Sequence, residues 1–167
     1  MKYWEKIWDI VICNTSIEVF SNGDNTFAWE ESTYTNGGEY LWLRYQCVEF
    51  VRRYVYQKYW VNLAQDYSEG NAEDWFENRK QMNLRHVDLP DVMVGDIICF
   101  SWWKWWHVAV VSEVLSNTVF ITSQNLNNSI LDLRFVIEKD VLIHKKDIII
   151  EQNHQIFVFE WLLRIWN

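Results

Sequence analysis

The spacing of apolar residues divides the chain into a helical segment and a longer β-rich segment. In residues 44–59 apolar side chains recur three to four positions apart, which predicts a helix with one apolar face. This face comprises Val48, Phe50, Val51, Tyr54 and Val55. We expect Glu49 to pair with Arg52 or Arg53 on the outer side of the same helix. A second helical stretch is predicted over residues 72–79.

Pro90 and Gly95 mark the change to strand-like sequence. Short runs rich in apolar and β-branched residues follow, separated by turn residues. These predicted strands cover residues 97–100, 107–115, 118–122, 131–137 and 157–165. Residues 116–117 join two of them and predict a hairpin, and a short strand at residues 17–20 precedes the helix. A helix followed by neighbouring strands predicts an α+β fold with an antiparallel sheet.

Length and composition predict a single folded domain over residues 1–167. The chain has 50% hydrophobic and 23% charged residues, close to globular averages, so a disordered chain is excluded. Its net charge of -8 disfavours nucleic acid as a partner, because phosphate binding needs clustered lysine and arginine. The same charge mildly favours a cationic substrate, although ordinary acidic solubility is the preferred explanation. Twelve tryptophans against five glycines is the unusual feature.

The three cysteines, Cys13, Cys47 and Cys99, do not predict a disulfide framework, because their number is odd and small. No cysteine or histidine spacing matches a zinc site, so no metal is expected. Residues 1–14 alternate charged and apolar residues, and we therefore expect neither a signal peptide nor a membrane span. These features predict a cytoplasmic protein with free thiols; release as a phage-type lytic enzyme is the alternative.

Cys47 is the candidate nucleophile because it lies in the first turn of the predicted helix. Unpaired N–H groups and the positive end of the helix dipole favour a thiolate there, so the thiol pKa is expected to fall. Gln46, just before it, supplies a polar neighbour. Cys13 and Cys99 lie in apolar runs and are predicted to be inert core thiols. A buried helix cysteine is the structural alternative for Cys47.

His107 is the candidate base because it is the polar first residue of an otherwise apolar strand. A structural histidine is the alternative. A nucleophile and base need a third group that orients the imidazole. The next strand ends in Ser123, Gln124 and Asn125, and hairpin geometry brings that end beside the histidine strand. Asn125 is therefore the candidate orienting amide, with a simple turn residue as the alternative.

Three stretches of the chain resemble one known family. Residues 45–53 (YQCVEFVRR) resemble the nucleophile helix of CHAP domains, the cysteine- and histidine-dependent amidohydrolases/peptidases. Residues 94–98 (VGDII) resemble the Gly-Asp strand entry of that family, and residues 107–111 (HVAVV) resemble its histidine strand. The sequence is especially similar to the amidase domains of glutathionylspermidine synthetase/amidases. The resemblance covers about residues 39–125 well, the expected core of the domain.

The resemblance implies a papain-like fold, with an N-terminal nucleophile helix packed on the sheet. It implies that the Cys47 thiolate attacks an amide carbonyl to form an acyl-enzyme, with His107 as base and without cofactor or metal. Backbone N–H groups at the helix start, beside Gln46, would form much of the oxyanion hole. The implied partners are small peptide-like or polyamine amides such as glutathionylspermidine, or peptidoglycan, and no membrane.

Two positions depart from the family pattern. The family usually has Glu-x-Asn where this chain has Ser123, Gln124 and Asn125, and a serine cannot stabilise an imidazolium as a carboxylate does. Trp106 stands where the family usually has glycine, near tryptophans at positions 102, 103 and 105; it could narrow the cleft, stack on a substrate or be buried locally. Two functions therefore stay open: an active amide hydrolase, and a catalytically impaired relative that binds a peptide or polyamine.

Overall fold

The structure is a computed structural model. It describes residues 10–12, 17–20, 32–44, 46–63, 70–102, 105–115, 118–125, 133–136, 149–152 and 155–166. Cys13, His144, His154 and the connection at residues 116–117 lie outside the described residues, so the predictions made for them stay predictions.

Two short antiparallel strand pairs precede the helix along the chain. Strand β1 (Ile10–Ile12) pairs with β2 (Val19–Phe20), and β3 (Ser32–Tyr34) pairs with β4 (Tyr40–Leu43). Helix α1 (Cys47–Tyr59) begins shortly after β4. The β3–β4 hairpin therefore leads directly into the helix that carries the candidate nucleophile.

A seven-stranded sheet follows the helix along the chain, together with two short 3₁₀ helices, Ala72–Asp74 and Leu89–Asp91. Its strands are β5 (Leu84–Val87), β6 (Ile97–Trp102), β7 (Trp105–Leu115), β8 (Thr118–Thr122), β9 (Leu133–Val136), β10 (Ile149–Gln152) and β11 (Gln155–Ile165). The hydrogen-bonded order is β10-β11-β6-β7-β8-β9, and β5 also pairs with β11. Every pairing is antiparallel. The predicted α+β class and antiparallel sheet are confirmed.

The side chains of β7 alternate between two buried clusters, one on each face of the sheet. Val108 and Val110 pack into the cluster that contains the helix, whereas Ala109 and Val111 pack into the cluster on the opposite face. The helix contributes its predicted apolar face to the first cluster: Val48, Phe50, Val51, Tyr54 and Val55. Each fully buried side chain of this kind contributes about 1.5–3 kcal/mol, so the helix is fixed against the sheet by burial.

The bounds of α1 differ slightly from the prediction. The helix begins at Cys47 and not at Arg44, because Gln46 has an extended backbone with φ −86° and ψ 157°. No side chain caps this end, so its first N–H groups are available to other partners. At the other end Trp60 has a left-handed φ of 59°, a position that usually holds glycine, and its side chain is 79% exposed.

The second predicted helix was wrong. Residues 72–79 form only a 3₁₀ helix, Ala72–Asp74, followed by irregular turns. Asn71 and Asp74 close a capping box around this short element. The carbonyl of Asp74 accepts from both the backbone N–H and the side chain of Asn78, at 3.0 and 2.9 Å. Single helical turns therefore form here without joining into a regular helix.

The main strand predictions were confirmed, with small extensions at several ends, although the strand predicted at residues 17–20 begins only at Val19. Strands β3, β4, β5 and β10 were not predicted, because they are short and lack a clear apolar alternation. In β5, for example, the two central residues Arg85 and His86 are both exposed, and only the ends Leu84 and Val87 are buried. The position of β5 beside β11 therefore comes from tertiary pairing more than from local sequence.

Gly95 and Asp96 fix the entry into β6. Gly95 has a φ of +96°, and a Cβ at this position would collide with the hydroxyl of Tyr59 at the end of α1. The carboxylate of Asp96 is buried and accepts two hydrogen bonds from Arg164 on β11, at 2.6 and 2.8 Å. Gly95 thus allows the end of α1 to pack closely on the entry to β6, and Asp96 ties that entry to β11.

Replacing Gly95 by alanine is expected to destabilise the fold by about 2 kcal/mol or more, since it combines a left-handed backbone with a steric clash. Gly37→Ala is the matched control, because a Cβ there would lie an ordinary 3.6 Å from Thr35 Oγ1 and the φ of Gly37 is not left-handed. Urea unfolding of both variants measures the difference. Equal stabilities would contradict this account of Gly95.

Candidate active site

Cys47 is the first residue of α1 and lies almost buried, with 9% of its surface exposed. Burial raises the pKa of its thiol, while the backbone N–H groups of Val108, Val48 and Cys47 itself hydrogen-bond the sulfur and oppose that rise. The predicted fall in the pKa was therefore wrong. The helix-start N–H groups act on the sulfur as expected, but the loss of solvent outweighs them.

The N–H of Val108 can reach this sulfur because the sheet is open at that point. The N–H of Val111 points toward β6, where it donates to the carbonyl of Asp96 at 2.8 Å. Successive residues of a strand point their N–H groups to opposite sides, so that of Val108 points toward β8. Strand β8, however, ends at Thr122, which pairs with Val110. The Cys47 sulfur therefore lies at the edge of β7, where β8 has ended.

His107 immediately precedes Val108, and its ring is fixed by two contacts. Its face packs on Phe100, with ring centroids 5.1 Å apart, and its Nε2 atom lies 2.5 Å from Ser123 Oγ in a hydrogen bond. Burial lowers the pKa of His107 to about 3. The imidazole is thus neutral at ordinary pH, and Ser123 holds it in one orientation.

The structure divides the roles of the two candidate orienting residues. The ring of His107 is held by Ser123. Asn125 has a left-handed φ of 61° and donates from Nδ2 to the Oε1 atom of Gln46 at 2.8 Å. Asn125 thus fixes the side chain next to Cys47, and its backbone also fits the turn residue that was the alternative interpretation.

Trp106 lies in an aromatic stack on the helix-facing side of β7. Its ring is 4.9 Å from that of Trp161, which in turn lies 4.8 Å from Phe76. The ring is only half-buried, and it packs against the cluster that contains Cys47. The structure does not describe the side chains of tryptophans 102, 103 and 105. Local burial accounts for the contacts of Trp106 that the structure shows.

Sequence reasoning missed two contributors to the site. One is the Val108 N–H, a backbone group that no residue type reveals. The other is Gln124, which is fully buried and donates to the Gln46 carbonyl at 3.2 Å and to Glu49 Oε2 at 2.8 Å. A glutamine between two candidate site residues was the available signal.

Within the described ranges, no group of three or more His, Cys, Asp or Glu side chains is placed to hold a metal ion. The same part of the chain contains no helix with the length and apolarity needed to cross a membrane.

Comparison with known protein families points to the part of the chain that contains these residues. The family model of the CHAP domain matches residues 33–125, more than half of the chain. The chain therefore belongs to the CHAP domain family, whose members are generally cysteine- and histidine-dependent amidohydrolases/peptidases. The matched range contains Cys47, His107, Ser123 and Asn125. No curated protein matches the chain.

The neutral state of His107 predicts a pH-dependent loss of stability. In the unfolded chain a histidine titrates near its ordinary value of about 6.5, whereas the folded pKa is about 3. Between these values the unfolded state binds a proton that the folded state does not, so stability falls as pH falls through this window.

Urea unfolding of wild type and His107→Gln at several pH values tests this prediction. The glutamine can still hydrogen-bond Ser123 but cannot titrate. The stability of wild type relative to His107→Gln is expected to fall by up to about 1.4 kcal/mol per pH unit below pH 6.5. Parallel pH dependences of the two proteins would show that His107 titrates normally.

Proposed function

We propose that this CHAP protein is a cysteine-dependent amide hydrolase in which Cys47 is the nucleophile and His107 the general base. The observation that carries the proposal is the position of Cys47, which begins α1 and packs in the same buried cluster as Val108, whose N–H acts on the thiol to lower its pKa. It places the sulfur against the backbone of the residue that follows His107. The Ser123 hydroxyl occupies Nε2 of the imidazole, which leaves Nδ1 as the atom that would accept the thiol proton.

The reaction would proceed from a neutral pair. As the sulfur attacks the amide carbon, Nδ1 takes the thiol proton, and the carbonyl oxygen becomes the oxyanion of a tetrahedral intermediate. Collapse of the intermediate breaks the C–N bond, and the imidazolium returns the proton to the leaving amine. Water then attacks the thioester with His107 again as base, which releases the acid and restores the thiol.

The start of α1 would supply the oxyanion hole. This helix end has no side-chain cap, so the backbone N–H groups that act on the resting thiol, those of Cys47 and Val48, would be able to donate to the developing charge. Gln46 lies beside them, and the hydrogen bond from Asn125 to its Oε1 leaves the Nε2 hydrogens of Gln46 as further donors. The arrangement of a helix N-terminus against a strand histidine supports the papain-like form of the fold.

Two amide substrates fit the proposed chemistry. Peptides of peptidoglycan fit the family as a whole. Glutathionylspermidine-like amides fit the resemblance of the nucleophile helix, and their polyamine would be attracted by the net charge of -8. Cleavage of a polyamine amide would suit a cytoplasmic protein, whereas cleavage of peptidoglycan would suit a released lytic enzyme. Neither reaction requires a cofactor, a nucleic acid or a membrane.

A second candidate function is binding of the same peptide or polyamine without cleavage. It is favoured by the buried state of the site: burial raises the pKa of the Cys47 thiol and lowers the pKa of His107 to about 3. A base with so low a pKa accepts a proton poorly. Ser123 offers the ring no negative charge to offset this effect.

Incubation of wild type, Cys47→Ala and Cys99→Ala with glutathionylspermidine and with a peptidoglycan stem peptide tests the proposed function. Wild type is expected to release the amine from at least one substrate, measured by mass spectrometry, and Cys47→Ala should be slower by on the order of 10³-fold or more. Cys99→Ala, which removes another buried free thiol, should keep its activity.

Full activity of Cys47→Ala would overturn the proposed nucleophile. If wild type binds a substrate in calorimetry but does not cleave it, the second candidate function is the correct one.

Replacing Ser123 by glutamate is expected to raise kcat/KM by about tenfold or more, because a carboxylate on Nε2 stabilises the imidazolium that forms during attack. The pKa of His107 should rise from about 3 at the same time, which the pH–rate profile would show. Ser123→Gln is the matched control, since it has nearly the same size without the charge. Equal rates for the two variants would mean that charge on Nε2 does not limit the reaction.

A further inference from the structure

Gln124 is a fully buried amide whose two ends are both used. Its Nε2 atom donates to the carbonyl of Gln46 at 3.2 Å and to Glu49 Oε2 at 2.8 Å. Its Oε1 atom accepts from the backbone N–H of Phe20 at 3.0 Å and from Arg53 Nη2 at 3.4 Å. A single side chain thus connects the end of β8, the start of α1 and strand β2.

The partners of Gln124 include a buried ion pair. Glu49 and Arg53 are 1% and 7% exposed, and Arg53 Nε lies 2.6 Å from Glu49 Oε1. The expected pairing of Glu49 was right, but its expected place on the outer side of the helix was wrong. Arg53 also donates to the carbonyl of Glu18 at 2.7 Å. Buried charges need such additional hydrogen bonds, and Gln124 supplies one to each member of the pair.

The neighbours of Gln124 in sequence contact the two sides of the candidate site. Ser123 holds the ring of His107, and Asn125 holds the side chain of Gln46. Gln124 itself binds the backbone of Gln46, the residue that precedes the nucleophile. The segment of residues 123–125 is therefore the connection between base and nucleophile, and Gln124 is the anchor at its centre.

We propose that Gln124 is a positioning residue for amide hydrolysis: its amide and the Glu49–Arg53 pair hold residues 123–125 against the first turn of α1. This inference rests on the proposed function. The side chain does not touch the reacting atoms, so it acts through Ser123 and Gln46. Loss of the anchor would let the imidazole and the thiol move relative to each other, and displacements of about 1 Å at a catalytic pair cost on the order of 10²-fold in rate.

The polarity of the contact offers a specific test by exchange. In Gln124→Glu a carboxylate would face the carboxylate of Glu49, and the donor to the Gln46 carbonyl would be lost. In the double variant Glu49→Gln/Gln124→Glu the amide and the carboxylate trade places, so their hydrogen bond and the charge partner of Arg53 are restored. Gln124→Leu removes every hydrogen bond of the anchor. Arg164→Leu is the control for general destabilisation, since it breaks the ion pair with buried Asp96.

Two measurements are made on each full-length variant at matched fractions of folded protein. One is kcat and KM on the amide substrate; the other is the pH dependence of iodoacetamide alkylation at Cys47, followed by mass spectrometry with Cys99 as internal reference. Gln124→Leu and Gln124→Glu are expected to lower kcat by on the order of 10- to 100-fold with KM nearly unchanged. They should also slow alkylation of Cys47, whereas Arg164→Leu should not. The double variant should recover part of both losses, since its hydrogen bond to residue 49 returns while the bond to the Gln46 carbonyl stays broken.

A Gln124→Leu protein that behaves like Arg164→Leu would overturn the proposal, as would a double variant no better than Gln124→Glu. Should Gln124→Leu fail to fold, the exchange pair still decides the matter. If wild type cleaves no amide but alkylates Cys47 faster than Cys99, the proposed function fails and the alkylation rates alone test Gln124. Equal alkylation of Cys47 and Cys99 in wild type would overturn both ideas, because no activated thiol would exist to be positioned.

Discussion

The early end of β8 is the constraint from which the candidate site follows. Because the strand stops at Thr122, the N–H of Val108 on β7 has no neighbouring strand to bond. A buried N–H without a partner costs about 1–3 kcal/mol, so another acceptor must take that place. The Cys47 thiol is the group on which this N–H acts, since it lowers the thiol pKa against the larger rise caused by burial. The contact between this N–H and the thiol therefore fixes the start of α1 beside His107.

The end of β8 has a second consequence, since the chain after Thr122 is free to leave the sheet. Residues 123–125 turn toward α1, and each of their side chains reaches a different target: the imidazole, the backbone before the nucleophile and the side chain of Gln46. The left-handed backbone of Asn125 completes this turn. Three consecutive residues thus join two elements that are far apart in sequence.

The helix and the strands of the sheet core could be predicted because their side chains follow the simple periods of 3.6 and 2. Cys47 and His107 could be singled out because a thiol at a helix start and a histidine at a strand start are chemically unusual places. The division of roles between Ser123 and Asn125 could not, since it depends on which way each side chain turns after the strand ends. The burial of Glu49 and the raised pKa of Cys47 were likewise hidden, because solvent exclusion is a property of the packed molecule and not of local sequence.

Burial also decides how charge is arranged around the thiol. A carboxylate within one helical turn of Cys47 opposes formation of its thiolate. Glu49 is such a carboxylate, since it lies two residues away and is only 1% exposed. Its pairing with Arg53 at 2.6 Å offsets that charge locally. With the carboxylate so compensated and a neutral serine on the imidazole, the resting site holds no unpaired charge and avoids the cost of burying one. In the proposed hydrolysis the charge separation that attack requires would be created during the reaction, so stabilisation of the imidazolium and the oxyanion would become the limiting demand on this site.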